Sequence, residues 1–354
     1  MRRFLVSLAA IAALLLGAGA AMMPEGASPE SGLDVSQLAP GFSGPSFDCT
    51  KARTAAEQML CTDANLAEKD REMSVAYARL KRSETAPSFA TVQAAQRGWL
   101  AYVLQSCHGN GAMPEDQGAK NDLSGCLSDS YSDCADRLHA IAVRKSGTLV
   151  LEPRMRFFTR ARPQTEDSDI YPWMGPRADA FNAWIARRLA LSRKRMDDKD
   201  LFPFTPEQIG DLKLYARRTY AVARFDDRIV SLQVQTYDYT GGAHEVIGET
   251  ELNWDMRKAR EFRPGDVLKK GWEDFATDYC LNDLKKQFSE RHDEGPDRSA
   301  VAEVVKSGAW LFAEDHATVH FTVYSIASFA AGEFDVDIPY KVLKPYAQVD
   351  APFL

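Results

Sequence analysis

The sequence predicts an α+β protein of two domains: a small disulfide-stapled helical bundle, then an α+β domain built on an antiparallel sheet. Three observations lead there. Cys49, Cys61, Cys107, Cys126 and Cys134 crowd the first part of the chain, whereas Cys280 stands alone later. Apolar residues recur with helical period from Asp48 to about Lys145, and the pattern turns to mixed helix and strand from Gly147 onward. A chain of 354 residues, 45% hydrophobic and 26% charged, is long enough for two globular cores and too apolar to be disordered. Its net charge of −7 argues against nucleic acid as a partner.

Residues 1–21 predict a signal peptide. Arg2 and Arg3 precede an apolar run from Phe4 to about Leu16, and Ala18-Gly19-Ala20 fits an A-x-A cleavage site. The run to Ala21 approaches spanning length, so an uncleaved anchor is the alternative. The glycines and alanines at its end favour cleavage, which leaves no stable membrane span and a periplasmic or secreted protein. In such a compartment the cysteines are disulfide candidates. Residues 22–46, rich in Pro, Gly, Ser and Ala without periodicity, predict a flexible linker.

Residues 47–145 carry three apolar stripes at helical spacing. They are Leu66, Met73, Tyr77 and Leu80; then Phe89, Val92, Trp99 and Val103; then Leu123, Leu127, Tyr131, Cys134, Leu138 and Ile141. Thr62 and Asp63 are candidate caps for a helix beginning near Asn65. Residues 108–121, with Gly109, Gly111, Pro114 and Gly118, read as a loop. The segment Phe47-Asp48-Cys49-Thr50-Lys51-Ala52, followed by Glu57, Cys61, Asp63, Leu66 and Asp70-Arg71, resembles the opening of the LprI-like lysozyme-inhibitor family. Gln96-Arg97, Trp99-Leu100, Cys107 and Cys126-Leu127 are similar to its later part. The resemblance implies two local bridges, Cys49–Cys61 and Cys107–Cys126. Cys134 lies outside that pattern, as a buried free thiol or as the partner of Cys280.

Residues 147–347 predict the α+β domain. Thr148 to Thr159 is strand-like, and Phe181, Trp184, Ile185 and Leu189 form a helical stripe. Tyr215 to Tyr237 holds two strands around a turn at Asp226-Asp227. In the second strand Val230, Leu232 and Val234 alternate with Ser231, Gln233 and Gln235. Gly241 and Gly242 supply the positive φ angles of a reversal, and Val246 to Trp254 returns. Trp272, Phe275, Tyr279, Leu284 and Phe288 mark a helix. Ala309 to Tyr324 reads as a hairpin turning at Glu314-Asp315, with Trp310 and Phe312 against Val319, Phe321 and Val323. Phe334 to Ile338 is a last strand, stopped by Pro339. The run from Tyr237 to His244, Asn253 with Asp255, Asp266-Val267-Leu268, the run from Val323 to Gly332, and Ile338-Pro339-Tyr340 together resemble the extracellular RsiV-type domain. That domain occurs in lysozyme-sensing anti-sigma factors and beside a peptidoglycan deacetylase catalytic domain. Ser328 stands where that pattern has Pro, and Phe329 where it has Tyr.

Enzymatic patterns are missing: there is no G-x-S-x-G elbow, H-E-x-x-H helix, P-loop or C-x-x-C pair. A non-enzymatic protein without cofactor or metal is therefore expected. His316 and His320 fall at i, i+4 in a strand-like segment, where that spacing spreads too far for one ion. His244 beside Glu245 reads as a hairpin residue more readily than as a general base. Asp238 and Asp255 form a weak candidate carboxylate pair. Tyr237, Tyr239, Tyr324 and Phe329 lie beside turns, where aromatic side chains suit a protein or sugar interface. Buried tyrosines with bonded hydroxyls remain the alternative. With Gly241, Gly242 and His244 they make up the candidate partner-binding set.

Both resemblances imply a lysozyme-like protein as partner, bound by turn segments that occlude its substrate cleft. A module that binds peptidoglycan without inhibiting anything is the alternative. A third class, an enzyme of cell-wall remodelling, finds no residue to carry it. Only three residues precede the apolar run, so no cytoplasmic domain for an anti-sigma role is expected.

Overall fold

The computed structural model describes residues 43–160, 165–175, 178–197, 214–241, 245–290 and 295–354. The predicted signal peptide and linker residues 22–42 lie outside this set, as does the side chain of Leu189. The chain divides into two compact units, one made of the residues up to Glu84 with Gln96–Ile141, the other of Thr85–Ala95 with Ala142–Leu354. No described helix is long and apolar enough to cross a membrane.

The first unit is helical. Helix α1 (Ala55–Thr62) opens on a capping box: Thr54 accepts the Glu57 amide, and Glu57 Oε2 accepts the Thr54 amide at 3.0 Å. Helix α2 (Ala64–Ser83) is capped by Asp63, which accepts the amides of Asn65 and Leu66. The later half of α3 (Ala86–Ser106), from Gln96, and α4 (Gln117–Ala140) complete it. The predicted loop over 108–121 is shorter than expected, because Asp116 accepts the Ala119 amide at 2.8 Å and starts α4 at Gln117. Leu66, Tyr77 and Leu80 are buried with Trp99, Val103, Leu127, Tyr131 and Leu138, and the Trp99 and Tyr131 rings meet edge-on at 5.3 Å.

Two disulfides, Cys49–Cys61 and Cys107–Cys126, close segments of 12 and 19 residues. Between the second pair, the carbonyls of Gly109 and Gly111 accept the otherwise orphaned amides of Ala56 and Ala55 at the start of α1. A Cβ on Gly109 would stand 2.7 Å from Ala56 Cβ, so this approach requires glycine. Cys134 and Cys280 are buried and outside any disulfide. The last residues of the predicted linker are held in place: Arg71 donates to the Ser43 and Gly44 carbonyls, and Asp70 accepts the Ser46 amide at 2.5 Å. Asp70-Arg71 therefore fastens the incoming chain to α2.

The second unit is an α+β domain with a seven-stranded sheet of order β1-β2-β3-β4-β5-β6-β7. Its strands are β1 (Arg144–Ser146), β2 (Leu149–Arg160), β3 (Thr165–Met174), β4 (Leu214–Phe225), β5 (Ile229–Tyr239), β6 (Val246–Asp255) and β7 (Arg260–Glu261). All neighbours are antiparallel except β3 and β4, which pair in parallel. The exception to the expected antiparallel sheet follows from α5 (Asp179–Asp197), which lies between those strands in sequence as a crossover. Strand β3 was not legible in the sequence. Its Glu166, Ser168 and Asp169 are buried polar residues, satisfied by Arg217, Arg156 and one another. The first turns of α3 belong to this unit: Glu152 accepts the Thr85 amide and the Thr85 and Ser88 hydroxyls at 2.6–2.8 Å.

Helix α5 covers one face of the sheet, where Phe181 and Trp184 pack on Trp254 at 5.9 and 4.9 Å. The neighbouring Asn253 points to the opposite face. There lie the one-turn α6 (Pro264–Val267), α7 (Trp272–Glu290), α8 (Arg298–Ser307), and a second sheet of order β10-β9-β8. The latter comprises β8 (Trp310–Phe312), β9 (His316–Phe321) and β10 (Phe334–Pro339). The predicted hairpin forms with Trp310 opposite Val319, but β9 ends at Phe321, so Val323 lies beyond the pairing. Trp272, Cys280, Trp310, Phe312 and Phe321 are at the centre of the core on this side.

Replacing either disulfide pair by serine is expected to lower the unfolding free energy of the helical unit by about 3 kcal/mol per bridge. Urea denaturation with and without reductant checks this: reductant should shift the wild-type transition and leave that of the four-serine variant in place.

Candidate functional site

The site lies in the second unit and follows from the register between β5 and β6. Gln233 pairs with Glu251 and Gln235 with Glu249, so these four side chains share one face with Tyr237. Gln233 and Gln235 donate their amides to the two oxygens of Glu249, at 3.0 and 2.6 Å. His320 on β9 meets the same carboxylate: its Nε2 forms an ion pair with Glu249 Oε2, and its Nδ1 lies 2.7 Å from Asp335 Oδ1 on β10. The imidazole is 3% exposed and the Glu249 side chain 2%.

Burial works against a charge on His320, but the hydrogen bond and charge of Asp335 and the contact with Glu249 outweigh it, raising the pKa to about 10. Burial likewise pushes the Glu249 carboxyl up, and His320 with the Gln235 amide overcomes this, holding it below its ordinary value. Glu251 and Glu333 are shifted upward, in each case by burial first and by neighbouring carboxylates next. A cavity of about 290 Å³ opens beside the cluster, with Glu249, Glu251, Asn253, His320 and Thr322 in its wall.

The structure divides the predicted aromatic set in two. Tyr237 is half-buried and tied to the network, its hydroxyl donating to Gln235 Oε1 at 3.5 Å. Burial raises its pKa, and Glu249 and Glu333 add to the shift. Tyr239 packs on Tyr215 of β4 with ring centroids 5.7 Å apart, and Gly241 takes φ +97° at the start of the reversal. Gly242 and His244 lie outside the described residues. Tyr324, at φ +66°, is 66% exposed, and its ring stands 5.8 Å from that of Phe329. Glu333, at the far end of the segment carrying these two rings, connects the groups through its effect on the Tyr237 hydroxyl. Ser328 adopts φ −69° and ψ 161°, angles that proline itself would take, so its replacement of the expected Pro leaves this backbone unchanged.

Two sequence candidates are not assembled. Asp238 pairs with Val246 and Asp255 with Ile229, at opposite ends of the hairpin, and Asp255 caps a turn by accepting the amides of Arg257 and Lys258. His316 and His320 separate as expected: His316 lies between Asp315 and Asp337. The sequence reading missed Gln233, Gln235, Glu249, Glu333 and Asp335 as site residues. The one signal available was the run of polar residues on the inner positions of an alternating strand.

The helical unit matches a family model. Residues 49–144 match that of the family described as lysozyme inhibitor LprI. Residues 265–341 match a family described as a protein of unknown function, DUF3298. The second unit is similar to the crystal structure of a DUF3298 family member from Bacteroides fragilis, at 16% identity and a TM-score of 0.44, covering 59% of this chain and 98% of that one. It is also similar to a DUF3298 family protein from Pseudomonas aeruginosa, at 16% identity and a TM-score of 0.43, covering 60% and 97%. No curated protein matches the chain.

His320 carries a stability prediction. A base whose pKa is raised on folding, here from 6.5 to about 10, stabilises the fold fully below the lower value and loses that contribution as pH climbs toward the upper one. His320→Gln is expected to cost about 3–5 kcal/mol at pH 6 by leaving Glu249 buried and unpaired. The gap between variant and wild type should narrow steadily to pH 10, as followed by chemical denaturation.

Proposed function

We propose that this chain is an exported, non-enzymatic binder of lysozyme-like muramidases that inhibits them by occluding the substrate cleft. The observation that carries the reading is the match of residues 49–144 to a lysozyme-inhibitor family, in a unit with both local disulfides in place. The RsiV-type resemblance of the later residues points to the same partner, because those domains sense lysozyme. In this reading residues 1–21 direct export, 22–46 link, 47–145 form the inhibitor module, and 147–347 form the second, sensor-like module. The exposed Tyr324–Phe329 pair offers aromatic area at little entropic cost, as binding surfaces do.

Charge supports the approach. The full chain carries −7, and removing Arg2 and Arg3 with the leader makes the exported protein more acidic, which steers a basic lysozyme inward. Turnover of peptidoglycan by lysozyme is therefore expected to fall with added chain, with a Ki that weakens as salt rises. Absence of both inhibition and complex formation would reject the reading, and retention on purified sacculi without lysozyme would then favour the wall-binding alternative. Tyr324→Ala is expected to weaken complex formation about tenfold or more if that pair contacts the partner, with the melting temperature within a degree or two of wild type. Titration calorimetry and a thermal melt separate the two effects.

A further inference from the structure

We propose that Glu249, His320 and Glu333 form a binding site for a first-row divalent metal ion, with Asp335 orienting the imidazole. One donor atom from each of the three lies within 4.8 Å of the other two. They come from β6, from β9 and from the residue preceding β10, so the tertiary fold brings them together. Ligands about 2.0–2.2 Å from one zinc ion stand roughly 3.3–3.6 Å apart in a tetrahedron, so side-chain rotations of about an ångström close the site.

Four features point to a cation. His320 Nε2 faces Glu249 Oε2 in a buried ion pair, an arrangement in which an ion can take the place of the proton between them. Nδ1 is anchored by Asp335 at 2.7 Å, so that the ring would keep its Nδ1 proton and coordinate through Nε2 once that nitrogen gives up its own. Glu249 is held in turn by the Gln233 and Gln235 amides. Finally, Glu249, Glu251, Glu333 and Asp335 surround one imidazole, no Lys or Arg pairs with them among the described residues, and Glu251 Oε1 is shielded without a hydrogen bond.

The adjoining cavity of about 290 Å³ gives the ion a path in and space for water as a further ligand. One imidazole nitrogen and two carboxylates suit zinc or manganese better than calcium, which takes oxygen ligands. Bound metal would fasten the end of the segment carrying Tyr324 and Phe329 to β6. The site stands independently of what that segment binds.

A proton competes for Nε2, because the carboxylates that attract a metal also stabilise the imidazolium. Zinc binding is therefore expected to release a proton as Nε2 coordinates. The test is calorimetric titration of ZnCl2 into the purified, EDTA-treated exported chain in buffers of different ionisation enthalpy. We expect one zinc per chain, weakened tenfold or more by Glu333→Gln and 10–100-fold by Asp335→Asn, with the Glu333→Gln variant melting near wild type in EDTA. Absence of zinc uptake at pH 8, or equal affinity in both variants, would overturn the site; the second result would place zinc elsewhere, for example at His316. Nitrogen NMR of the wild-type chain gives a check that needs no variant. The His320 Nε2 resonance should move on zinc addition, and an unchanged imidazolium at saturation counts against coordination.

Discussion

Ser231 and Asn253 make the buried polar clamp on which the second unit depends. The Ser231 hydroxyl donates to Asn253 Oδ1 at 2.7 Å and accepts the Phe312 amide at 2.9 Å, while Asn253 Nδ2 donates to the Trp310 carbonyl at 2.8 Å. These bonds tie β5 and β6 of the large sheet to β8 of the small one. Backbone groups of β8 that would otherwise be buried unsatisfied are paired, so the two sheets dock in one arrangement. A one-residue slip between β5 and β6 would turn Ser231 or Asn253 to the face held by α5 and break the clamp.

The His320 cluster is a consequence of that docking. Once Trp310 and Phe312 are fixed against the large sheet, β9 follows by pairing with β8, and His320 lies against Glu249. Gln233 and Gln235 occupy inner positions where an apolar residue would ordinarily sit, and their amides serve a buried carboxylate instead. Such a network rigidifies the base of the segment between Thr322 and Glu333. Tyr324, exposed and at a positive φ, is thus presented from a fixed foundation.

In the helical unit the constraint is covalent and local. Each disulfide joins residues close in sequence, and the glycines inside the second loop cap the amides of α1. Asp70-Arg71, next to one another on α2, fasten Ser43–Ser46 by charge-assisted hydrogen bonds. A short chain segment reaches its stable form here with few long-range contacts to arrange.

The two bridges of the first unit were implied by its family resemblance, whereas local periodicity and short loops determined its helical character, the alternating strand at Val230–Gln235 and the turn at Asp226. Each is legible because neighbours in sequence are neighbours in space. Strand β3 was hidden because its acidic residues are satisfied by arginines of the strands on either side of it, β2 and β4, a pairing that no local pattern records. The parallel pairing of β3 with β4 depended on where α5 packs. That His320 meets Glu249 was decided only by strand register and sheet docking. That contact joins residues about 70 positions apart, and the energy that fixes it comes from burial across two sheets rather than from any one segment.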